Sequence, residues 1–193
     1  MTTKSFALSI IIVFACVGLF AQSAYKNTTW GESADSVKEK VLDLAVSDAP
    51  RFGGLVDAML FLHWDDFNVD VSNPIAFESG EITRYWSEEQ QALYWFVDDQ
   101  LEGVEVSFSE SIREALVRKY GSLEPKSGTL SSGGNIEILV WQNEPSRLVV
   151  WERTEDFGFE NVYYVHKKWW RKLEKAAMEK RRKDTQEQNS RLE

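Results

Sequence analysis

Ala92-Leu93-Tyr94-Trp95-Phe96-Val97, Asp98-Asp99-Gln100 and Gly103-Val104-Glu105-Val106-Ser107-Phe108 decide the fold of this chain. Two runs rich in β-branched and aromatic residues flank a short acidic turn, the pattern of an antiparallel hairpin. In the second run Val104, Val106 and Phe108 alternate with Gly103, Glu105 and Ser107, so one face is expected to pack and the other to meet solvent. Outward on the amino-terminal side, residues 82–86 read as another strand. Residues 59–64 read as a buried strand after the Gly53-Gly54 break, and 65–73 as polar loop with a second strand as the alternative. On the other side, 136–142, 148–153 and 161–166 read as three further strands, while 126–134, rich in Gly and Ser, reads as a flexible connection.

Helices punctuate these strands. Ser33 is placed to cap a helix that carries Val37, Val41 and Leu44 at i, i+4, i+7 spacing and ends near Ser47, before Pro50. Asp35 suits the positive end of its dipole. Ser109 caps a second helix with Ile112, Leu116 and Tyr120 on one stripe, and Gly121 stands where a left-handed residue closes it. A third starts near Lys167 with Trp169, Trp170, Leu173, Ala176 and Ala177 as its apolar stripe, and is expected to fray after about Lys183. The fold class expected is α+β: an antiparallel sheet with helices packed on one face, duplicated in outline as two helix-plus-antiparallel-strand units. The organisation is a signal peptide at 1–21, one domain over 22–183 and a polar mobile tail at 184–193.

The amino terminus sets the compartment. Lys4 is a short positive region, residues 6–20 are nearly all apolar, and Leu19-Phe20-Ala21 before Gln22 resembles a signal-peptidase site. The apolar run is shorter than the roughly 20 residues that span a bilayer, so cleavage is preferred to a membrane helix. A periplasmic or extracellular location follows. The lone cysteine, Cys16, lies in that run, so no disulfide is available to the mature chain. Val13-Phe14-Ala15-Cys16 loosely resembles a lipobox, which makes a lipid anchor through Cys16 the alternative.

Hydrophobic residues form 43% of the chain, with 8 Trp, 11 Phe and 6 Tyr, enough to bury a sizeable core. Charge is uneven: residues 22–166 hold 26 acidic and 11 basic side chains, a balance of −15, whereas 167–193 hold 10 basic and 5 acidic, a balance of +5. An acidic body argues against nucleic acid as a ligand. The basic tail permits membrane-surface contact, although docking of its apolar stripe on the sheet is preferred.

Asp66, Asn68 and Asp70 match the start of a calcium loop, but Val71 and Phe77 occupy the positions that need glycine and glutamate. No metal and no cofactor are expected. The two histidines, His63 and His166, stand in no catalytic motif, and His63 between Leu62 and Trp64 reads as a core or sheet residue. A carboxylate pair such as Asp65 with Asp98 is the raw material of glycosidase chemistry, which makes a hydrolase the catalytic alternative. The preferred expectation is no enzyme activity.

Aromatic residues are the strongest remaining signal. Tyr85-Trp86, Tyr94-Trp95-Phe96, Trp141, Trp151 and Tyr163-Tyr164 lie on expected strands, where neighbours point to opposite faces and cannot all enter one core. Either helices and loops cover the second face, or Trp86, Trp95, Trp141 and Trp151 present an aromatic surface to a partner.

Trp30-Gly31-Glu32-Ser33 followed by Val37 resembles the W-G-x-S-x-x-x-V opening of small exported bacterial α+β proteins. Residues 96–104, Phe96-Val97-Asp98-Asp99-Gln100-Leu101-Glu102-Gly103-Val104, and the helix end Lys119-Tyr120-Gly121 extend the likeness. The arrangement is similar to the small SmpA/OmlA-type lipoprotein of the outer-membrane β-barrel assembly machine and to β-lactamase inhibitor protein. The resemblance covers the helix openings and one hairpin, and it implies a noncatalytic binder with a protein partner in the cell envelope. It assigns no functional residue here.

Overall fold

A computed structural model describes residues 24–47, 81–129, 134–154 and 159–190. The signal peptide expected at 1–21, the strand at 59–64 with His63, and the loop at 65–73 lie outside the described residues. The elements are α1 (Ala34–Lys40), β1 (Ala45–Val46), β2 (Ile82–Ser87), β3 (Ala92–Val97), β4 (Gln100–Ser107) and α2 (Glu110–Tyr120). After them come β5 (Lys126–Thr129), β6 (Asn135–Trp141), β7 (Arg147–Thr154), β8 (Phe159–His166) and α3 (Lys167–Ser190).

One antiparallel sheet runs in the order β1-β2-β3-β4-β8-β7-β6-β5. The α+β class holds, and the duplication is present as topology. Each half lays down a helix and then four strands, and the last strands of the two halves, β4 and β8, pair at the centre with Glu105 opposite Tyr163.

Local chemistry explains the β3–β4 hairpin. Asp98 and Asp99 both take positive φ, 50° and 59°, the mirror-image turn whose twist matches the strands and which Asp tolerates. Between Trp95 and Phe96 the register shifts, because β4 carries one extra residue, Glu102. Gly103 stands opposite Trp95, and a Cβ there would come within 2.6 Å of the indole ring. Only glycine lets that ring lie flat on β4.

Two cores sandwich the sheet. Tyr94, Phe96, Leu101, Val104, Trp141, Val149 and Trp151 pack with Trp30, Val37 and Val41 of the α1 region and Leu116 of α2. Leu93, Trp95, Ile138, Val150, Tyr163 and Val165 pack on the other face with Trp169, Trp170 and Leu173 of α3. Helices on one face, as expected, therefore holds for α1 and α2 but not for α3. The last helix begins at the residue after β8, with no linker, and its Trp169 ring meets Trp95 edge-on at 6.2 Å.

This second core corrects the solvent-facing reading of β4. Glu105, on the supposed wet face, is only 7% exposed, and β4 is buried on both sides. Other expectations differ as well. The first helix stops at Lys40 rather than near Ser47, because Asp43 is drawn to the β2–β3 turn, where it accepts from Ser87 Oγ at 2.8 Å and Glu89 N at 2.7 Å. Lys126–Thr129, expected to be part of a flexible connection, is strand β5 paired with β6. The helix α3 continues to Ser190 rather than fraying near Lys183.

Candidate functional site

The amino-terminal opening and the central hairpin form one built unit. Gly31, at φ 81°, turns the chain so that Gly31 N donates to Leu101 O at 3.0 Å and Leu101 N donates to Glu32 O at 2.8 Å. Ser33 Oγ accepts from Ser36 N at 3.3 Å, and Asp99 Oδ1 accepts from Ala34 N at 3.0 Å, so two side chains satisfy the orphan donors of α1. The bulge residue Glu102 meets His166 Nδ1 at 2.5 Å, and the His166 ring stacks on Trp30 at 5.5 Å with 7° between planes. Trp30 is 8% exposed, and its indole N–H has no hydrogen-bond partner among the described residues. Among the described residues this stack clamps the opening of α1 to β4 and β8.

A second polar assembly ties the lead-in to the other half. Arg147 donates to Ala24 O at 2.9 Å and to Glu144 at 2.6 Å, while Lys119 and Tyr120 reach the same Glu144 oxygen at 2.8 Å. Burial opposes ionisation of Glu144, but the hydrogen bonds from Arg147, Lys119 and Tyr120 outweigh it and hold the carboxyl down at about 2.

On the α3 side, Glu105 and Glu152 lie on either side of Tyr163, each less than a tenth exposed. Burial pushes the Tyr163 hydroxyl well above its usual range; Glu152 and Glu105 add to the effect, and Asn161 Nδ2 donates to it at 3.4 Å. Arg84 feels the charge of Glu105 from β2. The arrangement can hold a proton on Tyr163 within a buried network. Of the pair named from sequence, Asp65 lies outside the described residues, and Asp98 Oδ1 accepts from Glu81 N at 3.0 Å as part of its turn.

Of the four tryptophans proposed for a partner, three are core. Trp95 is fully buried, Trp141 donates its indole N–H to Gly121 O at 3.0 Å, and Trp151 donates to Glu160 at 2.9 Å. Trp86 alone of the four is half-buried, packed against Leu93 and opposite Ala45, with its N–H on Glu88 at 2.9 Å. Helices cover both sheet faces, so the aromatic surface read from alternation is filled rather than offered.

Exposed apolar side chains lie instead at the end of the sheet. Leu42 is 89% exposed and Val46 75%, beside and within the terminal strand β1. Ser47 N donates inward to Arg84 O at 3.0 Å, so by alternation the N–H and C=O of Val46 point outward. Sequence reasoning missed these two residues. Their one signal was that Leu42 is apolar yet stands off the Val37–Val41–Leu44 stripe.

Comparison with protein-family models, with curated proteins and with solved structures finds no match to this chain.

Proposed function

We propose that this chain is a noncatalytic exported binding protein, an envelope-assembly component that acts through protein–protein contacts at the β1 edge. The observation that carries the reading is that β1 ends the sheet among the described residues, with Leu42 and Val46 exposed beside and within it. Native proteins cover or charge such edges, because an unpaired strand with apolar flanks templates another strand. The occupant is an extended segment of a partner polypeptide. It would bond to the outward N–H and C=O of Val46 and set an apolar side chain against Val46 or Leu42. Two polar groups among the described residues support the same reading, since they are engaged in holding the fold: His166 by Glu102 and Trp30, Glu152 by Tyr163.

A photocrosslinking residue at position 42, compared with one at exposed Glu114 on α2, tests this. A discrete heavier species from position 42, absent from 114 and lost when Val46→Pro is added, is expected. Proline removes only the outward N–H and leaves the Ser47-to-Arg84 bond in place. Equal crosslinking from both positions, or persistence of the species in the proline variant with circular dichroism unchanged, overturns the edge reading.

A further inference from the structure

The outward face of α3 is a ridge of cations. Taking 100° per residue, buried Trp169, Trp170 and Leu173 define one side of the helix, and exposed Lys168, Arg171, Lys172, Lys175 and Arg182 all fall on the opposite side. The ridge is about 21 Å long at the α-helical rise. Its other members are Glu179, 3.9 Å from Lys175, and Met178, which is 51% exposed. Lys168, Arg171, Lys172 and Arg182 pair with no acid among the described residues.

Two features separate this ridge from an ordinary solvated face. First, the cations begin at the wrong end: the first turn of α3 holds Lys167 and Lys168 and no acid, so they oppose the helix dipole. Helix stability alone would place acids there. Second, residues 22–166 carry a balance of −15, so an isolated basic line of this length is not the prevailing surface composition. We infer that this ridge docks the protein on an anionic phospholipid bilayer.

Shape selects the bilayer over other anions. A helix face is convex, suited to a plane rather than to a small anion, and the ridge carries no aromatic ring of the kind that stacks on nucleic-acid bases. Trp169, Trp170 and Leu173 root the helix on the sheet, so the cations face away from the acidic body. A helix is about 10 Å thick, more than the Debye length of about 8 Å at physiological salt, so repulsion between the acidic body and the bilayer is screened behind it. No described helix is long and apolar enough to cross a membrane, so the contact is a surface one. This docking is independent of the β1 edge, and either can fail alone.

The test is sedimentation of the full chain with vesicles of phosphatidylglycerol and phosphatidylcholine at 3:7, against pure phosphatidylcholine, over a salt series. Binding to the anionic vesicles alone, falling steeply as salt rises, is expected. The combined variant Lys168→Glu, Arg171→Glu, Lys172→Glu should weaken it by more than about a hundredfold, at roughly fivefold per cation. The same variant should melt no lower than the parent, because its new acids suit the helix start. Residues 1–23 are untouched in the variant, so undiminished binding would place the attraction elsewhere and overturn the inference. Equal binding to neutral vesicles, or tighter binding to double-stranded DNA or polyglutamate than to the anionic vesicles, would overturn it as well.

Discussion

Asp99 Oδ1 accepts a hydrogen bond from the backbone N–H of Ala34 at 3.0 Å, across 65 residues of sequence. The bond joins the tip of the β3–β4 hairpin to the first turn of α1, so two stretches far apart in sequence form one physical unit. Asp99→Ala should cost about 0.5–2 kcal/mol, the range for losing a helix cap. Asp99→Asn, which keeps an acceptor and tolerates φ 59°, should lie close to the parent. Denaturant midpoints for the two variants check this, and equal losses would show that the tertiary cap carries no energy.

Trp30 offers a sharper contrast. Trp30→Ala removes the ring stacked on His166 and should cost about 3–5 kcal/mol, more than Ser33→Ala at about 0.5–2 kcal/mol. Trp30→Phe keeps a ring on the imidazole and discards an indole N–H that has no partner among the described residues, so it should recover most of that loss. Thermal melts of the three variants give the ranking.

Gly103→Ala should destabilise by about 1–3 kcal/mol, because the new methyl lies 2.6 Å from the Trp95 ring and the core there cannot expand. Adding Trp95→Leu should lessen the penalty of the alanine, since the colliding ring is gone. A double-mutant cycle measures it; additive losses would mean that the collision is relieved by movement elsewhere.

Acid sensitivity should trace to Glu144. Its folded-state value of about 2 lies below the ordinary 4.5, so it contributes stability that is present above about 4.5 and is lost as pH falls toward 2. Glu144→Gln should therefore be less stable than the parent at neutral pH, with the difference shrinking across that window. A difference that stays constant from pH 6 to pH 2 would show that the Arg147 and Lys119 contacts contribute nothing to the linkage.

The carboxy-terminal helix separates into root and extension. Deleting 184–193 should leave the unfolding midpoint unchanged, because the described side chains there are exposed. Deleting from Trp169 onward should destabilise the domain strongly, since Trp169, Trp170 and Leu173 are each at most 3% exposed in the second core. Equilibrium unfolding of both truncations decides it.

Local pattern in the sequence was enough for β2, β3, β4, β6, β7 and β8, the capping serines and the left-handed Gly121, because each depends on residues within a few positions. Ala92–Val97 was legible to the residue: its aromatics are β-formers, and the Asp98-Asp99 turn follows at once. Element order likewise showed the two-unit plan. What alternation could not reveal was which face would be wet. Glu105 reads as a solvent residue along β4 and becomes core only because α3, 62 residues later, turns onto that side of the sheet. The same event buried Trp95, while α1 and α2 on the opposite face buried Trp141 and Trp151, so the proposed aromatic surface became packing. Asp43 ended α1 early through bonds to Ser87 and Glu89, and Glu102 met His166 across 64 positions through a bulge. Burial and long-range hydrogen bonds are properties of elements already brought together. The sequence alone therefore determined most of the elements and their order, whereas β1 and β5 are strands only through pairing with β2 and β6, and tertiary packing decided which side chains became core, which became clamps, and which, such as Leu42, Val46 and the cations of α3, were left in water.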